Sequence, residues 1–229
     1  MTFNKNNQND ILNNLVSEYS FANKPINRFI TKPKVENKLE KLNLLRKKIQ
    51  GIENCKLKNN SKNIVFSDGD ISSPLMIVGE GPGQTEDDQG KPFVGEAGKL
   101  LNKMLNAIKI ERSKIYITNV VNYRPPDNRK PEPDEILRYS EFLKEHISIF
   151  DPKILILMGS TAMEALFGNK IKITKSRGEW KEIVVKNKVF KTIITFHPAY
   201  LLRQPDQKKF SWQDLKKIRK EIDNLNIKI

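Results

Sequence analysis

The chain has 229 residues, of which 38% are hydrophobic and 30% charged, a composition typical of one globular domain with an appendage rather than a multidomain assembly. Lys and Arg number 41 against 27 Asp and Glu, and the net charge of +14 indicates either a nucleic-acid partner or a solubility charge and coding bias. The single cysteine excludes a disulfide framework and a metal site of several thiolates, and no apolar stretch approaches the ~20 residues that span a bilayer, so we expect a cytoplasmic protein.

Residues 1–50 are predicted to be a polar, partly helical extension. Apolar residues are few in this part of the chain and recur at helical spacing in two stretches. The first comprises Ile11, Leu12, Leu15 and Val16, and the second comprises Leu39, Leu42, Leu44, Leu45 and Ile49. We therefore expect one short amphipathic helix, then a solvated helix that packs by one edge and ends near Gly51, and a main domain over residues 51–229.

Five short apolar runs in the main domain are predicted to be strands. They are, in order, NIVFS, LMIVG, KIYITNVV, KILILMG and KTIITF, of which the first begins at Asn63. Four of the five are almost continuously apolar, as expected of strands buried on both faces of a sheet with parallel neighbours. Helical spacing predicts helices between them, from Gly95, over residues 134–150 and from Ser160 to Gly168. The pattern predicts a three-layer α/β fold from about residue 60 onward.

Ligands of open parallel sheets collect at the carboxyl ends of the strands, so the residues after each strand are the candidate site. Residues 79–93 leave the second strand as a Gly- and Pro-rich loop with carboxylates. This loop lacks the spacing of a Walker loop or a dinucleotide fingerprint and, taken alone, fits an ordinary tight turn. Asn119 ends the third strand with a donor and an acceptor side by side, which suits an imide edge such as that of a pyrimidine base, or simply caps the strand.

A histidine and two leucines follow the last strand. His197 fits a catalytic role and a structural role equally well, whereas His146, inside a predicted helix, is interpreted as an exposed polar residue. Leu201 and Leu202 stand beside Arg203, where they suit a wedge that separates bases or a buried leucine pair. The sequence contains no HExxH, no cluster of His or Cys and no nucleophile elbow, which argues against a hydrolytic metal site or a serine triad.

Taken together, these segments resemble the uracil-DNA glycosylase superfamily, and specifically its family 4 of bacteria and archaea. The resemblance covers residues 55–212 and rests on the order and spacing of GEGPGQTEDDQGKPFVGEAG, YITNVVNYRPPDNRKPEPDEI, ILMGSTAMEALFG, RGEW and HPAYLLR. It implies a three-layer α/β/α fold around a central four-stranded, mainly parallel sheet. It also implies that residues 51–229 form a catalytic domain that flips uracil out of DNA and hydrolyses its N-glycosidic bond, leaving an abasic site.

Two other functions stay open within that superfamily. One is a catalytically silent DNA-binding protein, and the other is a glycosylase-like protein that couples covalently to the abasic sugar. The joint presence of Phe93, Asn119 and His197 favours the enzyme, and the RGEW loop at residues 177–180 carries no extra histidine that could act as a nucleophile. We expect a monomeric enzyme of base excision repair whose partner is uracil-containing DNA.

The resemblance implies a role for each residue that would contact the base. Phe93 stacks on the uracil ring, and Asn119 pairs with its N3–H and O4, a pattern that cytosine reverses. Neutral His197 donates to uracil O2 as negative charge develops there. Gly81, counted with the substrate-binding residues, stands where better known relatives carry an aspartate.

Further residues are assigned to the water and to the DNA. Glu86 and Asn128 are candidates for positioning the attacking water, and Glu80 is a catalytic candidate that could equally hold the backbone amides of its loop. Leu201 matches the position of the inserting leucine and is predicted to be the wedge, with Arg203 beside it as a DNA contact.

One departure from the family concerns its cofactor. Family 4 enzymes typically hold a 4Fe–4S cluster on four cysteines, and here Cys55 is retained while Ile52, Tyr123 and Tyr139 occupy the other three positions. Because a cluster needs several thiolates, we expect neither cluster nor other cofactor or metal. Packing of these four residues against one another is expected to fill the space.

Overall fold

The structure is a computed structural model that describes residues 34–229, with side chains from residue 37 onward. Its strands are β1 Asp68–Gly69, β2 Leu75–Gly79, β3 Tyr116–Asn119, β4 Ile154–Met158, β5 Trp180–Val185 and β6 Lys188–Thr195. Its α-helices are α1 Lys34–Gln50, α2 Lys56–Asn59, α3 Gln84–Gln89, α4 Glu96–Ala107, α5 Pro133–Phe150, α6 Ser160–Phe167, α7 Ile173–Ser176, α8 Pro198–Arg203 and α9 Lys208–Asn224. The predicted helix around Ile11 lies outside the described residues.

The strands form a single sheet in the order β1-β3-β2-β4-β6-β5. The four central strands are parallel, which confirms the predicted α/β class, and an antiparallel strand is added at each edge. Within residues 34–229 the sheet therefore has six strands, of which the four central ones form the predicted parallel sheet. Strand β5 was missed because alternate side chains are exposed, so it lacks the continuous apolar run of a central strand.

The expected strand NIVFS is wrong, because none of residues 63–67 lies in a strand and pairing is confined to Asp68–Gly69, which follow it. Residues 63–67 are held instead by bonds to the segment around β3. Val65 N–H donates to the carbonyl of Asn122 at 2.8 Å, and Thr118 Oγ1 donates to the carbonyl of Phe66 at 2.7 Å. One backbone bond and one side-chain bond thus hold this segment in place of a continuous ladder.

Alternate residues of the central strands enter two separate apolar layers. In β2, Met76 and Val78 pack with helices α1, α5 and α6, whereas Leu75 and Ile77 pack with α4 and α9. This alternation produces the predicted three layers, since successive side chains of a strand point to opposite faces. No helix in the part of the chain that the structure describes is long and apolar enough to cross a membrane.

Helix α1 ends at Gln50, as predicted, and its apolar edge is packed in the core. Leu42, Leu45 and Ile49 are buried in the layer that also contains α5. The compact unit runs over Val35–Ile229, so this part of the predicted extension packs with the main domain.

His146, on α5, is buried rather than exposed, which corrects the sequence interpretation. Its ring stacks on Phe66, and its Nε2 lies 2.8 Å from the hydroxyl of Tyr116. Burial lowers the pKa of His146 to about 3, so the ring is neutral and structural.

Candidate active site

A cavity of about 510 Å³ opens at the carboxyl ends of the four parallel strands. Each of these strands contributes a lining residue at or just after its end, namely Glu80, Asn119, Gly159 and His197. The other predicted site residues that line the cavity are Gly81, Glu86, Phe93, Asn128 and Arg203. All the predicted site residues except Leu201 therefore meet in one place, as the strand-end rule implies.

The amide of Asn119 is buried without a partner. Its side chain is 3% exposed, and neither Oδ1 nor Nδ2 has a hydrogen-bond partner within the described residues. Gly79 makes room for it, because a Cβ there would overlap Asn119 Oδ1 and lie 2.5 Å from the Phe93 ring. An unmet buried donor and acceptor cost free energy, so this amide indicates a ligand with a complementary polar edge.

Phe93 and His197 form a second wall of the cavity. Their ring centroids lie 5.3 Å apart at an interplanar angle of 32°. Phe93 is buried and has a backbone φ of 53°, which is unusual for a bulky residue. An aromatic face beside an unpartnered amide suits a flat heterocycle.

His197 is neutral and presents a defined donor. Its Nδ1 accepts the backbone N–H of Ala199 at 3.2 Å, so the ring proton of the neutral form lies on Nε2. Burial, and secondarily the charge of Arg203, lowers the pKa of His197 to about 4. Gly159, with φ 95°, allows the turn after β4 to lie close to His197, because a Cβ at Gly159 would lie 3.0 Å from the Cβ of His197.

A buried ion pair that the sequence reasoning missed lies behind His197. The Asp214 carboxylate accepts bonds from Arg177 and from Thr195 Oγ1, the latter at 2.8 Å. The Arg177 guanidinium lies 5.5 Å from the ring of Phe196, the residue before His197. Burial raises the pKa of Asp214, and both bonds oppose that rise. The RGEW motif contains Arg177, but no local pattern marks Asp214.

The two glutamates differ in their hydrogen bonds. Glu86 accepts backbone N–H groups from Val94 at 2.9 Å, Gly95 at 2.7 Å and Gly83 at 3.2 Å, so it holds the loop. Glu80 instead accepts the hydroxyl of Thr161 at 2.5 Å. A carboxylate engaged by three amides is committed to the loop structure, whereas Glu80 is not.

Gly81 and Asn128 both line the cavity. A Cβ on Gly81 would lie 2.6 Å from Val121 Cγ2, so a side chain at this position would require Val121 to move. Asn128 is exposed at the rim, and its Oδ1 accepts Arg124 Nε at 2.7 Å. Asp127 and Asn128 both have φ 54°, which makes this rim a strained turn.

Leu201, which is predicted to be the wedge, is buried in the core and does not line the cavity. Leu201 is 1% exposed and packs in the apolar layer with Phe93, whereas Leu202 is 43% exposed. Both lie on the short helix α8, where successive residues point in different directions, so only one of the two leucines faces the core. Arg203 follows on the exposed side and lines the cavity.

The four positions that the family resemblance assigns to cluster ligands are buried in an apolar layer. All four, Ile52, Cys55, Tyr123 and Tyr139, are buried in one layer, and Cys55 Sγ lies 3.4 Å from the Tyr139 hydroxyl. Burial raises the pKa of both tyrosines, so they are neutral phenols rather than anionic ligands. This donor set does not fit an iron–sulfur cluster. Among the described residues, no group of three or more His, Cys, Asp and Glu could hold a metal ion.

Comparison with known proteins places the chain in a family. The sequence model of the Uracil DNA glycosylase superfamily matches residues 66–216. The chain is 40% identical to a Type-4 uracil-DNA glycosylase of Sulfurisphaera tokodaii over 79% of this chain and 84% of that protein. It is also 40% identical to a Type-4 uracil-DNA glycosylase of Thermotoga maritima (72% and 84% covered) and 37% identical to one of Saccharolobus solfataricus (81% and 88% covered).

Proposed function

The chain belongs to the uracil-DNA glycosylase superfamily, and on that basis we propose that it is a DNA repair enzyme that hydrolyses the N-glycosidic bond of uracil in DNA. The products are free uracil and an abasic site. The observation that carries the proposal is the unpartnered, buried amide of Asn119 beside the Phe93 ring and the neutral His197.

Recognition of the base rests on the amide and the ring. Phe93 stacks on uracil, while Asn119 Oδ1 accepts its N3–H and Nδ2 donates to its O4. Cytosine carries an amine at C4 and a bare N3, which would leave both atoms of the Asn119 amide facing like groups. A site built to satisfy such bonds rejects a ligand that leaves them unmet, and this mismatch disfavours cytosine.

Access to the base requires extrusion from the duplex, which costs a few kcal/mol of unstacking. Leu202, the exposed leucine of α8, replaces Leu201 as the proposed wedge. Arg203 contacts the backbone beside it, and the net charge of +14 favours approach to DNA through release of counterions.

Bond cleavage sends the electron pair of the C1′–N1 bond into the uracil ring, where the charge resides largely on O2. The Nε2–H of His197 donates a hydrogen bond to that oxygen and stabilises the leaving anion. A neutral imidazole serves this purpose as a fixed donor. Water then attacks C1′ of the sugar and loses one proton, and protonation of the uracil anion completes the hydrolysis to an abasic sugar and free uracil.

Glu80 and Asn128 are the residues that we propose to position this water. Glu86 is removed from that role because three backbone amides engage its carboxylate. Glu80 lines the cavity and engages a single hydroxyl, that of Thr161, so its carboxylate retains further acceptor capacity.

The enzyme is further proposed to act as a cytoplasmic monomer without an iron–sulfur cluster, through a catalytic domain over residues 51–229. The neutral donor set around Cys55 supports the absence of the cluster. Iron analysis of anaerobically purified protein tests it, and about four irons per chain would contradict it.

Labelled oligonucleotides with one uracil, single-stranded or opposite A or G, test the function directly. After incubation with the protein in EDTA and treatment with alkali, strand cleavage at the uracil is expected, and little with the His197→Ala variant. Binding without cleavage would favour the alternative of a catalytically silent DNA-binding member.

A further inference from the structure

Phe93 holds a backbone conformation that its own side chain disfavours. A φ of 53° lies in the left-handed region, where bulky residues are rare outliers. Gly98 accommodates this conformation, because a Cβ there would overlap the carbonyl carbon and oxygen of Phe93. Such a conformation persists only where the surroundings impose it.

Arg112 supplies that constraint through all five of its N–H groups. Nη1 donates to the Phe93 carbonyl at 2.9 Å and Nη2 to the Pro92 carbonyl at 2.7 Å. Nε and Nη2 both donate to Asp68 Oδ2, at 3.2 and 2.9 Å, and Nη1 also reaches Asn102 Oδ1 at 3.3 Å. The guanidinium therefore fixes two successive carbonyls, of which the second belongs to the strained residue.

Asp68, the acidic partner of Arg112, is held in the sheet. Asp68 lies in β1, which pairs with β3, and a Cβ on Gly69 would overlap the carbonyl of Ile115, so the two strands approach closely. Strand β3 begins at Tyr116, four residues after Arg112, and ends at Asn119. One short strand thus connects the residue that holds Phe93 to the residue that pairs with the base.

We propose that Arg112 is a positioning residue that fixes the Phe93 ring at the stacking distance from uracil. The inference rests on the proposed function, because it assumes that uracil is the base held by Phe93. Lysine could keep the ion pair with Asp68 but lacks the planar fork that reaches two carbonyls at once. Arg112→Lys and Arg112→Gln are therefore expected to weaken uracil binding to the same extent.

The test measures binding of free uracil, which reports on the base pocket alone. Calorimetric Kd and the inhibition constant for free uracil should weaken about tenfold in both variants, corresponding to 1.4 kcal/mol, while Kd for uracil-free DNA stays unchanged. Arg219→Gln is the matched control, since Arg219 is also partly buried in an ion pair, with Asp223. It should leave uracil binding unchanged.

A double-mutant cycle shows whether Arg112 acts through Phe93. In a Phe93→Ala background, Arg112→Lys should cause no further loss of uracil binding, because there is no ring left to position. Equal losses in both backgrounds, or unchanged uracil binding with only a lower melting temperature, would overturn the proposal. Should the Gln variant fail to fold, the Lys variant decides. A wild-type protein that binds uracil but releases none from DNA would contradict the proposed function and leave this comparison valid.

Discussion

Separate replacement of Leu201 and Leu202 by alanine distinguishes a core residue from a DNA-contacting one. Leu201 is 1% exposed, and truncation of a fully buried leucine costs about 2–5 kcal/mol of stability. In a domain of this size each kcal/mol lowers Tm by about 2–4 °C, so Leu201→Ala should lower Tm by roughly 4–20 °C. Leu202 is 43% exposed, and Leu202→Ala should change stability by no more than about 0.5 kcal/mol.

Loss of activity should rank the two variants in the opposite order to loss of stability. A leucine buried between bases contributes about 1.5–3 kcal/mol, so Leu202→Ala should slow single-turnover cleavage of duplex substrate roughly 10- to 150-fold. Single-stranded substrate needs no wedge and should lose little. Leu201→Ala, assayed well below its Tm, should retain the wild-type ratio of duplex to single-strand rates. Equal losses of Leu202→Ala on both substrates, or a duplex-specific loss in Leu201→Ala, would refute the reasoning.

Three further results are expected. His197→Ala should lower the single-turnover rate about 10²–10³-fold with DNA affinity unchanged in fluorescence anisotropy, since the donor acts on charge that develops only during cleavage; an unchanged rate would refute its role. Asn119→Asp should relax rejection of cytosine, measured as the ratio of rates on uracil and cytosine oligonucleotides, because a carboxylate oxygen replaces the amide donor; strict rejection by a folded variant would count against the pairing. The free energy of unfolding should fall as pH drops from 6.5 towards 4, because His146 and His197 stay neutral in the folded protein and take up protons only when unfolded. Urea titrations across this pH range measure that free energy. A free energy that does not change with pH in either the wild type or His146→Phe would contradict the prediction.

The central sheet could be predicted because its strands are buried on both faces. LMIVG and KILILMG read as continuous apolar runs and form β2 and β4. Once a parallel sheet is inferred, its topology brings the strand ends together, and Asn119 and His197 meet without any contact being visible in the sequence.

The remaining features depend on contacts that no local pattern encodes. Leu201 and Leu202 are identical neighbours, and only the rotation of α8 decides which one is buried. Glu80 and Glu86 differ in role because the chain returns to place the amides of Val94 and Gly95 beside Glu86. The Asp214 carboxylate lies in a lysine-rich helix, where its pairing with Arg177 is a tertiary contact.

The most direct test is the identity and amount of the product released from DNA. Purified protein should turn over repeatedly on a duplex with one uracil per strand and yield one free uracil per abasic site, identified by mass spectrometry. Retention of the sugar on the protein with less than one turnover would indicate covalent coupling. Stable binding to the oligonucleotide without free uracil would contradict the glycosylase reaction itself.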